Sequence, residues 1–401
     1  MSRDWMEGKT LKEKLVLVVD DDPGWAESMR KRVAFATESE GESLRLASLS
    51  DSDLKLAIGI LIKRQQGFRK HPKTNPTFGD CVFDDADIVV IDYDLGALFG
   101  TEALMTGELL ASLVRKYSSG GPILSVNRFG PRRFDLIQEG HTRSWADLSV
   151  SHEDLRDSGL WTHVWKAYRP WSWPVFLDFP EKFEQRVEYC AENYERKITN
   201  LLRIPPSVAK VLPRRATDAV GNLPEVTARQ LVDNRLPPKD RGIPKALGAR
   251  LAASEIGKWL EEFVLPGQDI LIDPPHLGSL FPSVLRMDPL TRRKLDELAS
   301  LQTDAKLPMR QETIAESEFQ LPFFLSRKSW WTDLVLTNEH LREVSAPWER
   351  RTLPYVFAED TSRFEDPDRC SSYRMDGLAS PRWVRRPDSS IPYEPPNRLA
   401  A

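Results

Sequence analysis

The first third of the chain alternates between two periodicities. Residues 15–19 (LVLVV), 88–91 (IVVI) and 122–127 (PILSVN) are short apolar runs, and each breaks off in turn-forming or polar residues. Runs of that length, rich in Val, Ile and Leu, predict strands buried on both faces. Between them the spacing becomes helical. Trp25, Met29 and Val33 recur along 25–36, opposite the charged Arg30-Lys31-Arg32, and residues 107–116 read GELLASLVRK until Ser118-Ser119-Gly120-Gly121 stops them. Strand, helix, strand, helix, strand predicts an α/β fold with a doubly wound parallel sheet. Ligands of such sheets sit beyond the carboxyl ends of the strands. The acids fall there: Asp20-Asp21-Asp22 after the first run, and Asp92-Tyr93-Asp94 after the second.

The pattern changes near residue 175. Residues 170–180 (PWSWPVFLDFP) predict a hinge, and 181–202 has the apolar spacing of an amphipathic helix. Residues 246–264 predict the best helix of the chain, closed by Pro266-Gly267. A short strand over 270–272, a helix over 290–301 and an aromatic core segment over 319–331 follow, with no internal repeat and no helix-turn-helix. Aliphatic residues thin out after about 365. The expected organisation is therefore an α/β domain over 14–175, a mostly α-helical, proline-rich domain over 176–365, and an extended, surface-wrapping or mobile tail over 366–401.

Composition sharpens this partition. A chain of 401 residues exceeds one ordinary domain. Of its 30 prolines, five lie in 1–150 and twenty-two in 201–401. The net charge of −4 argues against a body that binds nucleic acid through its phosphates. Cys81, Cys190 and Cys370 are too few and too widely spaced for a disulfide framework, which fits a reducing cytoplasm. The opening MSRDWMEGKTLKEK is polar and mixed in charge, unlike a signal peptide, and no apolar run approaches bilayer length. The expected location is cytoplasmic.

The stretch LVLVVDDDPGW, followed by DIVVIDYDLG and PILSVNRFG, resembles the receiver domain of two-component response regulators. That resemblance implies a five-stranded parallel sheet. It also implies Mg²⁺ held by Asp20, Asp21 and Asp92 with the Asp94 carbonyl, and Asp92 as the phospho-acceptor. The partner would be a histidine kinase or phosphotransfer protein, and the second domain would dock an unidentified protein partner. Clustered carboxylates repel one another without a cation, and hard Mg²⁺ takes oxygen ligands, so the chemistry is self-consistent. The hydroxyl position at the end of the fourth strand falls on Ser125 or Asn127. The Lys-Pro step after the fifth strand is matched only by Arg169-Pro170, after Val164-Trp165, with Lys166 as a competing cation.

Spacing also departs from the family. Asp20 and Asp92 are 72 residues apart, and Asp92 and Arg169 are 77 apart, which predicts insertions around 65–80 and 128–160. Two other readings compete. The fold could be retained as an interaction scaffold without the phosphoryl switch. Alternatively, the step Asp92-x-Asp94 resembles the first motif of haloacid-dehalogenase-like phosphatases, with Glu359 and Asp360 as downstream acids. A receiver would be phosphorylated once and not turn over, so no enzyme is expected on the first two readings. The six histidines show no metal-ligand spacing, and Asp273-Pro274-Pro275-His276 reads as a turn.

Overall fold

The computed structural model describes residues 13–20, 23–38, 44–71, 79–95, 105–126, 144–156, 158–161, 174–212, 225–280, 324–325, 329–337, 355–358, 363–373 and 382–385. The chain forms two compact units. The first comprises residues 1–130, 144–166 and 175–180, and the second comprises 131–143, 167–174 and 181–401. Among the described residues no helix is long and apolar enough to cross a membrane.

The first unit is built on five parallel strands: β1 (Lys14–Val19), β2 (Leu44–Ser48), β3 (Ile88–Asp92), β4 (Ile123–Val126) and β5 (Leu148–Val150). Their order is 2-1-3-4-5, a doubly wound order that reverses direction between β1 and β3. Both faces are covered. Helix α1 (Pro23–Glu38) packs with the short helices His152–Arg156 and Ser158–Trp161, while α2 (Asp51–Lys70) packs with α3 (Gly107–Tyr117). Two-sided cover explains why β1, β3 and β4 read as continuous apolar runs, with Val16–Val19, Ile88–Ile91 and Ile123–Leu124 all buried.

Local chemistry sets the helix starts. Ser50 caps α2 by accepting from the Asp53 amide at 3.2 Å, and Thr106 caps α3 by accepting from the Leu109 amide at 3.2 Å. Acids stand in both first turns and bases in both last turns, as the helix dipole favours. Much of the long β1-to-β3 interval is α2 itself, which continues through Gln65–Lys70, part of the expected insertion. Residues 72–78 lie outside the described residues.

The fifth strand of the sheet is Leu148–Val150, inside the stretch expected to be an insertion. Val164-Trp165, the expected place for it, lies outside the described residues. The signal of the actual strand is weak because only Val150 of its three residues is buried. It is anchored by polar groups instead. The buried Asp147 carboxylate accepts from the Ile123 amide at 2.7 Å and pairs with the buried Arg115 of α3.

The helix expected over 181–202 runs from Phe179 to Glu192, where the Asn193 side-chain amide donates to the Tyr189 carbonyl at 2.8 Å. A separate short turn, Ile198–Leu201, follows. Helix Lys245–Trp259 runs into a π-turn over Leu260–Val264, then a tight turn closed by left-handed Gln268. The short strand expected after it is β6 (Leu271–Ile272), which pairs antiparallel with β7 (Trp330–Trp331) at the end of the aromatic segment. Four further strands, β8 (Val356–Ala358), β9 (Arg363–Glu365), β10 (Cys370–Tyr373) and β11 (Arg382–Arg385), form a sheet of order 10-11-8-9. Two of them lie in the stretch expected to be a tail. Buried Arg382 of β11 grips buried Asp273 through two nitrogens at 2.6 and 3.1 Å, a contact no apolar pattern announces. The helix expected over 290–301 lies outside the described residues.

Two predictions test this packing. Arg115→Met would leave Asp147 as a buried charge short of its cation, which costs about 3–5 kcal/mol. Urea unfolding should show that loss as a lower midpoint, and a loss within error would show that the pair does not anchor β5. The second concerns Glu262 in the π-turn. Burial pushes its carboxyl up to about 7, with Glu261 and Glu255 adding to the rise and Lys258 opposing it. The folded state therefore holds a proton that the unfolded state releases, so this contribution is present at low pH and lost as pH rises through about 7. Glu262→Gln should match the wild type near pH 4 and be more stable at about pH 8. Equal stability at the higher pH would refute the assignment.

Candidate metal and phosphoryl-acceptor site

The site forms where three strand ends meet. In the β1–β3 register Val19 lies opposite Ile91, so one further step sets Asp20 across from Asp92. Both carboxylates are withdrawn from solvent: Asp92 is 1% exposed and the Asp20 side chain 2%. His152, the first residue after the β5 turn, brings Nε2 to 3.6 Å from Asp20 Oδ2. One ligand atom from each of Asp20, Asp92 and His152 lies within 4.8 Å of the others.

Each member is positioned by its own element. Parallel pairing with Val126 of β4 holds Asp92, the last residue of β3, while Tyr93 donates its amide to the Val126 carbonyl at 2.9 Å. The Asp94 amide points back to Asp92 Oδ1 at 3.4 Å. Ser151 and Asp154 form a reciprocal cap, Ser151 N–H to Asp154 Oδ2 at 2.8 Å and Asp154 N–H to Ser151 Oγ at 3.1 Å, which fixes the turn carrying His152. Trp25, in the first turns of α1, stacks on the imidazole at 4.3 Å between centroids and 21° between planes. Pro23 opens α1 at the position where its missing N–H is harmless.

Gly107 is the close-approach glycine. A Cβ there would overlap the Asp92 carbonyl oxygen, and the Gly107 amide donates to the Tyr93 carbonyl at 2.9 Å. Only glycine lets the start of α3 sit against the tip of β3.

The expected site residues divide unevenly. Asp20 and Asp92 come together, and Asp94 contributes a backbone contact. Ser125 is buried in β4 opposite Ile91, one register step short of Val126, which faces Asp92. Strand alternation therefore puts the Ser125 side chain on the face of Ile91 and not on that of Asp92. Asp21, Asn127, Lys166, Arg169, Glu359 and Asp360 lie outside the described residues. His152 carries no motif. Its one sequence signal is its place just after the weakly apolar run Leu148-Ser149-Val150, within the expected insertion.

Two buried carboxylates at this separation repel each other, and a cation between them relieves the repulsion. Two oxygens and one imidazole nitrogen can form a first set of ligands for a divalent ion. Comparison with family models, with curated proteins and with solved structures finds no match. The chain is thus an α/β protein with a five-stranded parallel sheet and an Asp20–Asp92–His152 cluster at its carboxyl edge.

Gly107→Ala tests the geometry. Relieving its clash must move β3 or α3, an overpacking cost of about 1–3 kcal/mol. Thermal unfolding should register that loss, and divalent-cation affinity should fall with it. A variant as stable as the wild type would mean that the two elements do not meet at this distance.

Proposed function

We propose that the first unit is a receiver-like phosphoryl acceptor with Asp92 as its nucleophile. The observation that carries this reading is the pairing of Asp20 with Asp92 at the strand-order switch of a 2-1-3-4-5 sheet. A carboxylate oxygen of Asp92 attacks the phosphorus of a phosphohistidine on a histidine kinase or phosphotransfer protein. The O–P bond forms as the N–P bond breaks, and the departing imidazole takes a proton from water. The sheet edge supplies position, and a cation between Asp20 and Asp92 would favour the ionised carboxylate that attacks. A divalent cation, Mg²⁺ in the family resembled, would offset the charge of the phosphoryl oxygens during transfer.

One phosphoryl group adds about −1.5 to −2 charge, by analogy with phosphorylated hydroxyl residues. Placed beside Asp20, it changes the balance at an edge already rich in negative charge. The second unit would then act as the output or partner-docking part of a cytoplasmic signalling protein. The scaffold reading differs only in lacking the switch. The phosphatase reading needs Asp94 as a general acid beside Asp92.

The test is incubation of the full chain with acetyl phosphate and Mg²⁺ or Mn²⁺, followed by intact-mass measurement beside Asp92→Asn. A single phosphate that is absent from the variant is expected. No adduct with either cation would overturn phosphoryl acceptance and leave the scaffold. Continuous phosphate release from a generic phosphate ester, abolished in Asp94→Asn, would favour the phosphatase.

A further inference from the structure

We propose that His152 is the third protein ligand of the cation held by Asp20 and Asp92, and that its nitrogen makes the site prefer Zn²⁺ to Mg²⁺. The inference rests on the reading of Asp20 and Asp92 as cation ligands and is independent of phosphoryl transfer.

Geometry comes first. The 3.6 Å between His152 Nε2 and Asp20 Oδ2 exceeds a normal hydrogen bond. Two ligand atoms bound to one ion at about 2.0–2.1 Å are separated by roughly 3.3 Å at a tetrahedral angle. The observed separation lies close to that edge. Nε2 is itself shut off from solvent and has no hydrogen-bond partner among the described residues, while the ring face is covered by Trp25. The imidazole is therefore oriented, with one nitrogen directed at the two carboxylates. Asp92 comes from a third strand end, and its ligand atom lies within 4.8 Å of those of Asp20 and His152.

Ligand chemistry then sets the preference. Mg²⁺ is hard, takes oxygen almost exclusively and keeps several waters. Imidazole suits the later first-row divalent ions, whose affinity for mixed nitrogen and oxygen sites exceeds that of the alkaline earths. Replacing an all-oxygen set by one with His152 shifts selection in that direction. The competing structure is an imidazolium that itself neutralises the two carboxylates. In that structure a metal would have to displace His152, and removing the imidazole would strengthen cation binding.

The experiment is competition of the metal-free full chain against a chromophoric chelator, with Mg²⁺, Mn²⁺ and Zn²⁺ titrated separately. Wild type, His152→Gln and Asp20→Asn are compared, with circular dichroism as the check on folding. Zn²⁺ should bind more tightly than Mg²⁺ and more tightly than Mn²⁺. In His152→Gln the Zn²⁺ affinity should fall by roughly 100-fold, no less than the roughly 10–100-fold lost when a mere supporting residue of a metal site is removed. Mg²⁺ affinity should stay within about 3-fold, since an ion that prefers oxygen and keeps its waters draws little from the imidazole nitrogen. Asp20→Asn should weaken all three. Unchanged or tighter Zn²⁺ binding in His152→Gln would overturn the ligand role of His152. Unchanged binding of every cation in Asp20→Asn would overturn the carboxylate site itself, a different result from the first. The absorption of bound Co²⁺ gives a second readout, expected to change on loss of the nitrogen in His152→Gln and to remain as in the wild type if His152 is not a ligand.

Discussion

Two carboxylates facing each other across one pair of parallel strands are the constraint on which the site depends. Parallel pairing of Val19 with Ile91 sets Asp20, one step further on, across from Asp92. The two carboxylates are thereby held close together. Their repulsion is relieved by a cation, by an imidazolium, by hydrogen bonds or by protonation of one carboxyl. Three further features build this edge. Gly107 lets α3 approach the β3 tip, the Ser151–Asp154 cap fixes the β5 turn, and Trp25 orients His152 toward the pair.

The legible part of this arrangement is the part written in continuous apolar runs. β1, β3 and β4 are buried on both faces, so their sequences carry the hydrophobic signal unbroken, and Asp20 and Asp92 stand where the signal stops. β5 is illegible for the opposite reason. Leu148 and Ser149 are only half-buried, and the strand is held by Asp147 and Arg115, whose pairing across 32 residues leaves no local pattern. With that strand hidden, His152 is hidden too, since it lacks any neighbour at metal-ligand spacing. Ser125 differs again. Its strand is plain in the sequence, but the register that decides which face it shares is a property of the pairing with β3.

The second unit shows the same division. Helix Lys245–Trp259 is plain from its alanine and leucine spacing. The β8–β11 sheet is not, because its strands are three or four residues long and its anchor is Arg382 on Asp273, 109 residues away. Long-range ion pairs in buried positions fix topology without periodicity, and a chain that relies on them conceals its fold from pattern reading. Both units use that device, Arg115 with Asp147 in one and Arg382 with Asp273 in the other.

On the proposed reading, Asp20, Asp92 and His152 converge on one cation at the carboxyl edge of the sheet. Crystals of the protein grown with Mn²⁺ and measured for anomalous scattering test it directly. One anomalous peak is expected at the β1–β3 switch, in bonding contact with both carboxylates and with His152 Nε2. A peak bonded to neither aspartate, or no peak at that edge in Mn²⁺-saturated crystals, would contradict it.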